Sequence, residues 1–94
     1  MSIRWEEVAE AAAKEVGASI EEKDGTNDYQ GWGVLLLYRD SHWGTLAWTY
    51  GSCGGCDSYE DMSDADRLKE FINLITWHTG ETTARKHFND SKGW

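Results

Sequence analysis

The sequence predicts a small α+β domain: an antiparallel sheet of two to four strands around a 32–38/43–50 hairpin, packed against an N-terminal helix and one or two C-terminal helices. Three observations carry this. An apolar stripe at helical spacing opens the chain, two apolar and aromatic runs stand in its middle, and a second helical stripe follows Ser63. Ninety-four residues suit one domain, 1–94, and the six tryptophans supply core material that so short a chain needs.

Residues 3–16 read as a helix. Trp5, Val8, Ala12 and Val16 recur on one face, Ser2 can cap the start, Glu6 and Glu7 suit its positive end, and Gly17 stops it. Glu10 and Lys14 are ordered for an i,i+4 ion pair. Residues 18–23 read as a short strand with Ala18 and Ile20 on one face, and residues 24–31 as a turn-rich segment.

The hairpin follows. Residues 32–38 and 43–50 are rich in aliphatic and aromatic residues, and Arg39-Asp-Ser-His42 forms the loop between them. Setting Tyr38 opposite Trp43 pairs Leu35 with Leu46 and lays Trp48 over Gly33, where a large ring covers a cross-strand glycine. One face then holds Leu35, Leu37, Leu46, Trp48 and Tyr50, and the other Trp32, Val34, Leu36, Tyr38, Trp43 and Ala47. Both are apolar, so either helices cover both sides or one side serves a partner or a homodimer.

Ser63-Asp-Ala-Asp66 opens the second major helix as a capping-box variant, and Leu68, Phe71, Ile72 and Ile75 continue its stripe. Residues 75–78 suit a short extended piece. A last short helix starts at Thr79-Gly80, with Ala84 and Phe88 facing inward.

Charge limits the partners. The chain carries 17 acids and 9 bases, a net charge of −8. The excess is concentrated in residues 1–30 and 57–70, whereas residues 71–94 are slightly basic. Such a balance disfavours nucleic acid and anionic membranes, and it suits either a protein partner with a basic surface or simply the solubility that solvated acidic faces give. No stretch has the roughly 18–20 apolar residues of a membrane span, and the opening residues lack the apolar core of a signal peptide. The expectation is a cytoplasmic protein with reduced cysteines.

One segment could carry chemistry, Tyr50-Gly-Ser-Cys53-Gly54-Gly55-Cys56-Asp57-Ser-Tyr59. A Cys-x-x-Cys turn supplies two of the four ligands that zinc requires, so Cys53 and Cys56 are the residues of any metal site. A histidine, Asp57 or a second subunit would have to complete it, because the chain has no second such pair. Redox catalysis is disfavoured: no helix begins at Cys53, and Asp57 would raise a nearby thiol pKa. A cysteine nucleophile paired with His78 or His42 is a third reading. The fourth is a compact glycine loop whose thiols pack as small hydrophobes. No phosphate-cradling glycine motif is present, and the adjacent acids Glu6-Glu7 and Glu21-Glu22 diverge, so no catalytic residue is assigned.

The combination Asp28-Tyr-Gln-Gly31, Tyr50-Gly-Ser-Cys-Gly-Gly-Cys-Asp57 and Ile75-Thr-Trp77 resembles a group of small uncharacterised phage and prophage proteins. In these a Tyr-Gln-Gly segment precedes a hairpin ending in a Tyr-Gly-Ser-Cys-x-Gly-Cys-Asp loop. The likeness covers residues 28–88, with the cysteine loop as its specific part. It brings no functional residues with it and implies a phage-like genetic setting, hence the cytosol of a host cell.

The resulting expectation is a non-enzymatic acidic interaction protein, a phage-encoded inhibitor of a host or defence protein such as a CRISPR effector. Its binding residues would be Asp57, Tyr59, Glu60, Asp61, Asp64 and Asp66, carboxylates that can occupy a cleft built for phosphate. They equally suit the cap and solvated face of a helix. The alternative is a small metal-binding protein using Cys53 and Cys56, with zinc as the cofactor and a homodimer as one way to complete the site.

Overall fold

The computed structural model describes residues 5–25, 31–50 and 63–92. Its elements follow in the order α1 (Trp5–Glu15), β1 (Ser19–Gly25), β2 (Gly31–Arg39), β3 (His42–Tyr50), α2 (Asp64–Asn73), β4 (Thr76–His78) and α3 (Glu81–Asp90). The four strands form one antiparallel sheet in sequence order. This is the α+β architecture expected, with helices on both sides of the sheet.

The hairpin has the predicted register: Tyr38 pairs with Trp43, Leu35 with Leu46 and Gly33 with Trp48. Its turn is tighter than the four-residue loop expected. Strand pairing runs on through Arg39 and His42, leaving Asp40 and Ser41 as the two central residues, at φ 49° and 68°. Two successive positive φ values are the signature of a type I′ turn, whose twist matches that of the strands it joins.

Alternation along β2 and β3 sends side chains to two separate cores. Leu35, Leu37, Leu46 and Trp48 meet Trp5, Ala9, Ala12 and Ala13 of α1 and Phe71 of α2. Alanines on α1 let its backbone approach the sheet closely, and Phe71 lies against the rings of Trp5 and Trp48. On the opposite side Val34 and Leu36 are covered by Ala84 and Phe88 of α3, the two residues expected to face inward.

Local signals set the helix ends. Gly17 adopts φ 76°, and the bonds Ala18 N–H to Ala13 O and Gly17 N–H to Lys14 O complete a Schellman stop to α1. Arg39 reinforces it by donating from Nη1 to the Val16 carbonyl at 2.9 Å, with its guanidinium over the Trp77 ring. At α2, Ser63 Oγ accepts the Asp66 N–H at 3.2 Å, the expected cap.

Strand β1 is longer than the 18–23 segment predicted and takes in Asp24 and Gly25. Its seven residues are all exposed, because it has β2 on one side only. A bulge between Ile20 and Glu22 then sets Lys23 toward the α1 side and Glu22 and Asp24 toward the α3 side. Ion pairs clip the strand from both layers: Lys23 with Glu6 and Glu10, Glu22 with Arg85, and Asp24 with Lys92. Glu10 thus bridges to Lys23 across elements. Charges and a bulge on an edge strand also discourage pairing with a further chain.

Candidate functional site

Two groups of side chains were worth testing as a site: the acids around the start of α2, and the residues able to hold a metal or a reactive thiol. Of the first group the structure describes Asp64 and Asp66, both exposed in the first turn of α2. Asp64 accepts from Arg67 Nη1 at 2.8 Å, so its carboxylate also serves to hold a nearly buried guanidinium in place. Asp57, Tyr59, Glu60 and Asp61 lie outside the described residues. So does the whole Cys53-Gly54-Gly55-Cys56 loop.

The setting of Asp64 and Asp66 is broader than one helix start. Helices α1 and α2 pack side by side over the same sheet face, so their outer surfaces form one layer. Within these two helices seven acids stand against three bases: Glu6, Glu7, Glu10, Glu15, Asp64, Asp66 and Glu70 against Lys14, Arg67 and Lys69. Helix α3 carries two of each, and Arg85 is held by both Glu81 and Glu22 at 2.6 Å. The Lys23 ammonium, bonded to Glu6 and flanked by Glu10, is held above the ordinary lysine pKa, as expected of a cation set against an acidic layer. Among the described helices the acid excess therefore lies on α1 and α2.

The second group resolves differently. His78 and His87 come together, and a residue that sequence reasoning passed over joins them. Thr45, 1% exposed, sits on β3 under α3. Its Oγ1 lies 3.1 Å from His78 Nε2 on β4 and 2.7 Å from His87 Nδ1 on α3. The two imidazole rings are 5.0 Å apart. Burial, and then the neighbouring His87, push the His78 pKa below the ordinary imidazole value. Strand alternation puts Thr45 between Trp43 and Ala47 on one face, but the pairing of β4 that sets His78 beside Trp43 is tertiary and left no signal in the sequence.

His42, the other candidate partner for a cysteine, stands at the β2–β3 turn. Its Nδ1 lies 3.0 Å from the Asp40 carbonyl, and strand alternation directs it to the α1/α2 side, away from His78 and His87. Among the described residues no group of three or more His, Cys, Asp or Glu side chains is placed to share a metal ion. A shallow, open groove lies between α1 and the start of β1, lined by Glu10, Ala11, Lys14, Gly17, Ala18 and Ile20. It gathers no set of polar groups that could orient a small ligand. No helix among the described residues is long and apolar enough to cross a membrane. Comparison with protein-family models, curated proteins and solved structures finds no match to this chain.

Proposed function

We propose that this protein is a non-enzymatic interaction module that docks its acidic α1/α2 layer onto a protein with a basic surface, in the cytosol of a bacterial host. The observation that carries this reading is the segregation of charge: seven acids against three bases on two adjacent helices, with balanced charge on α3. Carboxylates arrayed on a rigid helical layer can steer toward and occupy a surface shaped for phosphate, gaining association rate and selectivity from complementarity. The likeness of residues 28–88 to small phage proteins sharpens the reading to an inhibitor of a host or defence enzyme that handles nucleic acid.

Charge reversal tests it. The triple variant Asp64→Lys/Asp66→Lys/Glu70→Lys changes the acidic layer, and Glu81→Lys/Asp90→Lys changes the α3 side as a control. Immobilised wild type and both variants are exposed to bacterial lysate at low and high salt, and retained proteins are quantified by mass spectrometry. The expected result is a specific basic protein retained by wild type and by the α3 control, weakened by salt and lost by the α2 triple variant. Retention that is indifferent to which side is reversed would sink the acidic layer as the docking surface.

A further inference from the structure

The Thr45, His78 and His87 cluster has a proton inventory that limits what it can do. A threonine hydroxyl has one hydrogen to give and lone pairs to receive. With both imidazoles neutral, one ring can donate N–H to Oγ1 while the hydroxyl donates to the bare nitrogen of the other. With one imidazole protonated the same pattern survives, the imidazolium donating and the neutral ring accepting. With both protonated, each ring presents an N–H to the oxygen at 2.7 and 3.1 Å. The buried hydroxyl hydrogen then has no nitrogen to receive it, and two positive charges stand with ring centres 5.0 Å apart.

We propose that Thr45, His78 and His87 form a one-proton clasp that holds α3 on the sheet and opens when it is asked to take a second proton. The three residues belong to three different elements, β3, β4 and α3, so the clasp closes only when α3 is docked. The rest of the α3 seam is modest, with Ala84 and Phe88 as its buried side chains and exposed ion pairs to β1. Undocking would bare the Val34 and Leu36 face together with Trp43, an apolar surface otherwise covered.

Among the described residues, the other charged and titratable groups around the clasp are types that do not ordinarily sense pH between 5 and 7.5. On α3, Arg85 is tied to Glu81 and Glu22 and lies over the Trp43 ring, while Lys86 and Asp90 bridge each other. On β1, Glu22 and Asp24 hold Arg85 and Lys92, and on β2 Tyr38 packs edge-on against Trp43. Beyond Thr45, β3 contributes the Trp43 ring here, and β4 contributes Thr76 and His78. Carboxylates, phenols and the cations of lysine and arginine ordinarily titrate outside that range, and imidazole is the side chain that ordinarily titrates within it.

The sign follows from burial. The docked state resists protonation of His78, whereas an undocked His78 titrates near the ordinary value of 6.5. Above that pH neither state takes the proton and docking has its full strength. Below it the undocked state binds more protons, so docking weakens as pH falls, by up to about tenfold per pH unit for one proton.

Two measurements on the intact protein decide it, imidazole ring resonances and amide exchange followed by NMR from pH 7.5 to 5. The expectation is that the His78 ring titrates below the ordinary imidazole value. The exchange protection of α3 amides relative to α1 amides should fall by up to about tenfold per pH unit below about 6.5. In His87→Gln, which removes one of the two charges but leaves His78 packed as before, that ratio should fall less steeply with pH than in wild type, even if α3 is held more weakly throughout. A His78 ring that titrates at the ordinary imidazole value, a flat ratio in wild type, or α1 losing protection in step with α3 would each overturn the clasp.

Discussion

On the side of the sheet under α1 and α2, the hairpin contributes Gly33, Leu35, Leu37, Gly44, Leu46 and Trp48; on the α3 side it contributes Val34, Leu36, Tyr38, Trp43 and Thr45. These are alternate residues of the same two strands, closed by different physics. The first side is a close packing of rings and small residues. Even its one buried polar atom without a partner among the described residues, Trp48 Nε1, is tolerated there to gain the cover its ring gives Gly33. The second side mixes two buried apolar residues of α3 with hydrogen bonds through Thr45 and bridges over the solvent edge. Area and packing density therefore make the α1/α2 side the seat of global stability, and the α3 side a seam that can open first.

Truncating one phenyl ring on each side gives the largest test of this difference. Phe71 is fully buried against Trp5 and Trp48, so Phe71→Ala should cost about 3–5 kcal/mol of global stability by chemical denaturation. Phe88 is nearly as buried, but the loss in Phe88→Ala is capped by the docking energy of α3, because the helix can let go while the rest stays folded. The measured global cost should be clearly smaller, with exchange protection lost across α3 and kept in α1 and β2. Equal global costs would make the two sides one cooperative unit.

Glycines sharpen the same picture on the α1/α2 side. A Cβ on Gly33 would sit 2.1 Å from Trp48 Cζ2, inside a buried two-ring side chain backed by Phe71. Gly33→Ala should therefore cost about 2–3 kcal/mol, and Trp48→Leu in the same chain should recover part of it. At Gly44 the nearest atom would be Trp77 Cε3 at 2.8 Å, on a half-buried ring of the three-residue edge strand β4. That ring can yield, so Gly44→Ala should cost only about 1 kcal/mol. Thermal melts of the two variants separate these values, and a Gly44 cost as large as that of Gly33 would mean that the edge is packed as tightly as the centre.

How much of this was legible in the sequence follows the same divide. The hairpin register could be read because Gly33 needs a large ring opposite and Trp48 is the residue that the Tyr38–Trp43 pairing puts there. The inward residues of α3 could be read from the four-residue spacing of Ala84 and Phe88. The end of β1 could not, because an edge strand exposed on all seven residues has no apolar alternation to follow. Nor could the clasp be read. Its members are separated by 33 and 42 positions in the chain, and a threonine within an apolar strand gives no sign of what will lie above it. For the candidate acidic surface, charge clustering pointed to residues 57–66, while the α1/α2 layer arises from the side-by-side packing of those helices, which is tertiary information.

The turn supplies the smallest and most discriminating test, because it belongs to neither side. Ser41 holds φ 68° without glycine's freedom, and a side chain in that region costs on the order of 1 kcal/mol. Asp40 bears the same strain more easily, and Asp-Gly is a favoured pair for a type I′ turn, so the gain lies at position 41. Ser41→Gly should raise stability by about 0.5–1 kcal/mol, seen as a higher denaturation midpoint with an unchanged slope. Exchange then tells where that gain is felt. Amides of α1 and of the β2–β3 hairpin, which open only with the whole fold, should gain roughly two- to fivefold in protection for that free energy. Amides of α3 should not change at all if α3 undocks while the hairpin stays intact, since the turn is then the same before and after opening. A rise in α3 protection in step with α1 would show that the seam never opens alone, and the contrast between the two sides would reduce to one of composition.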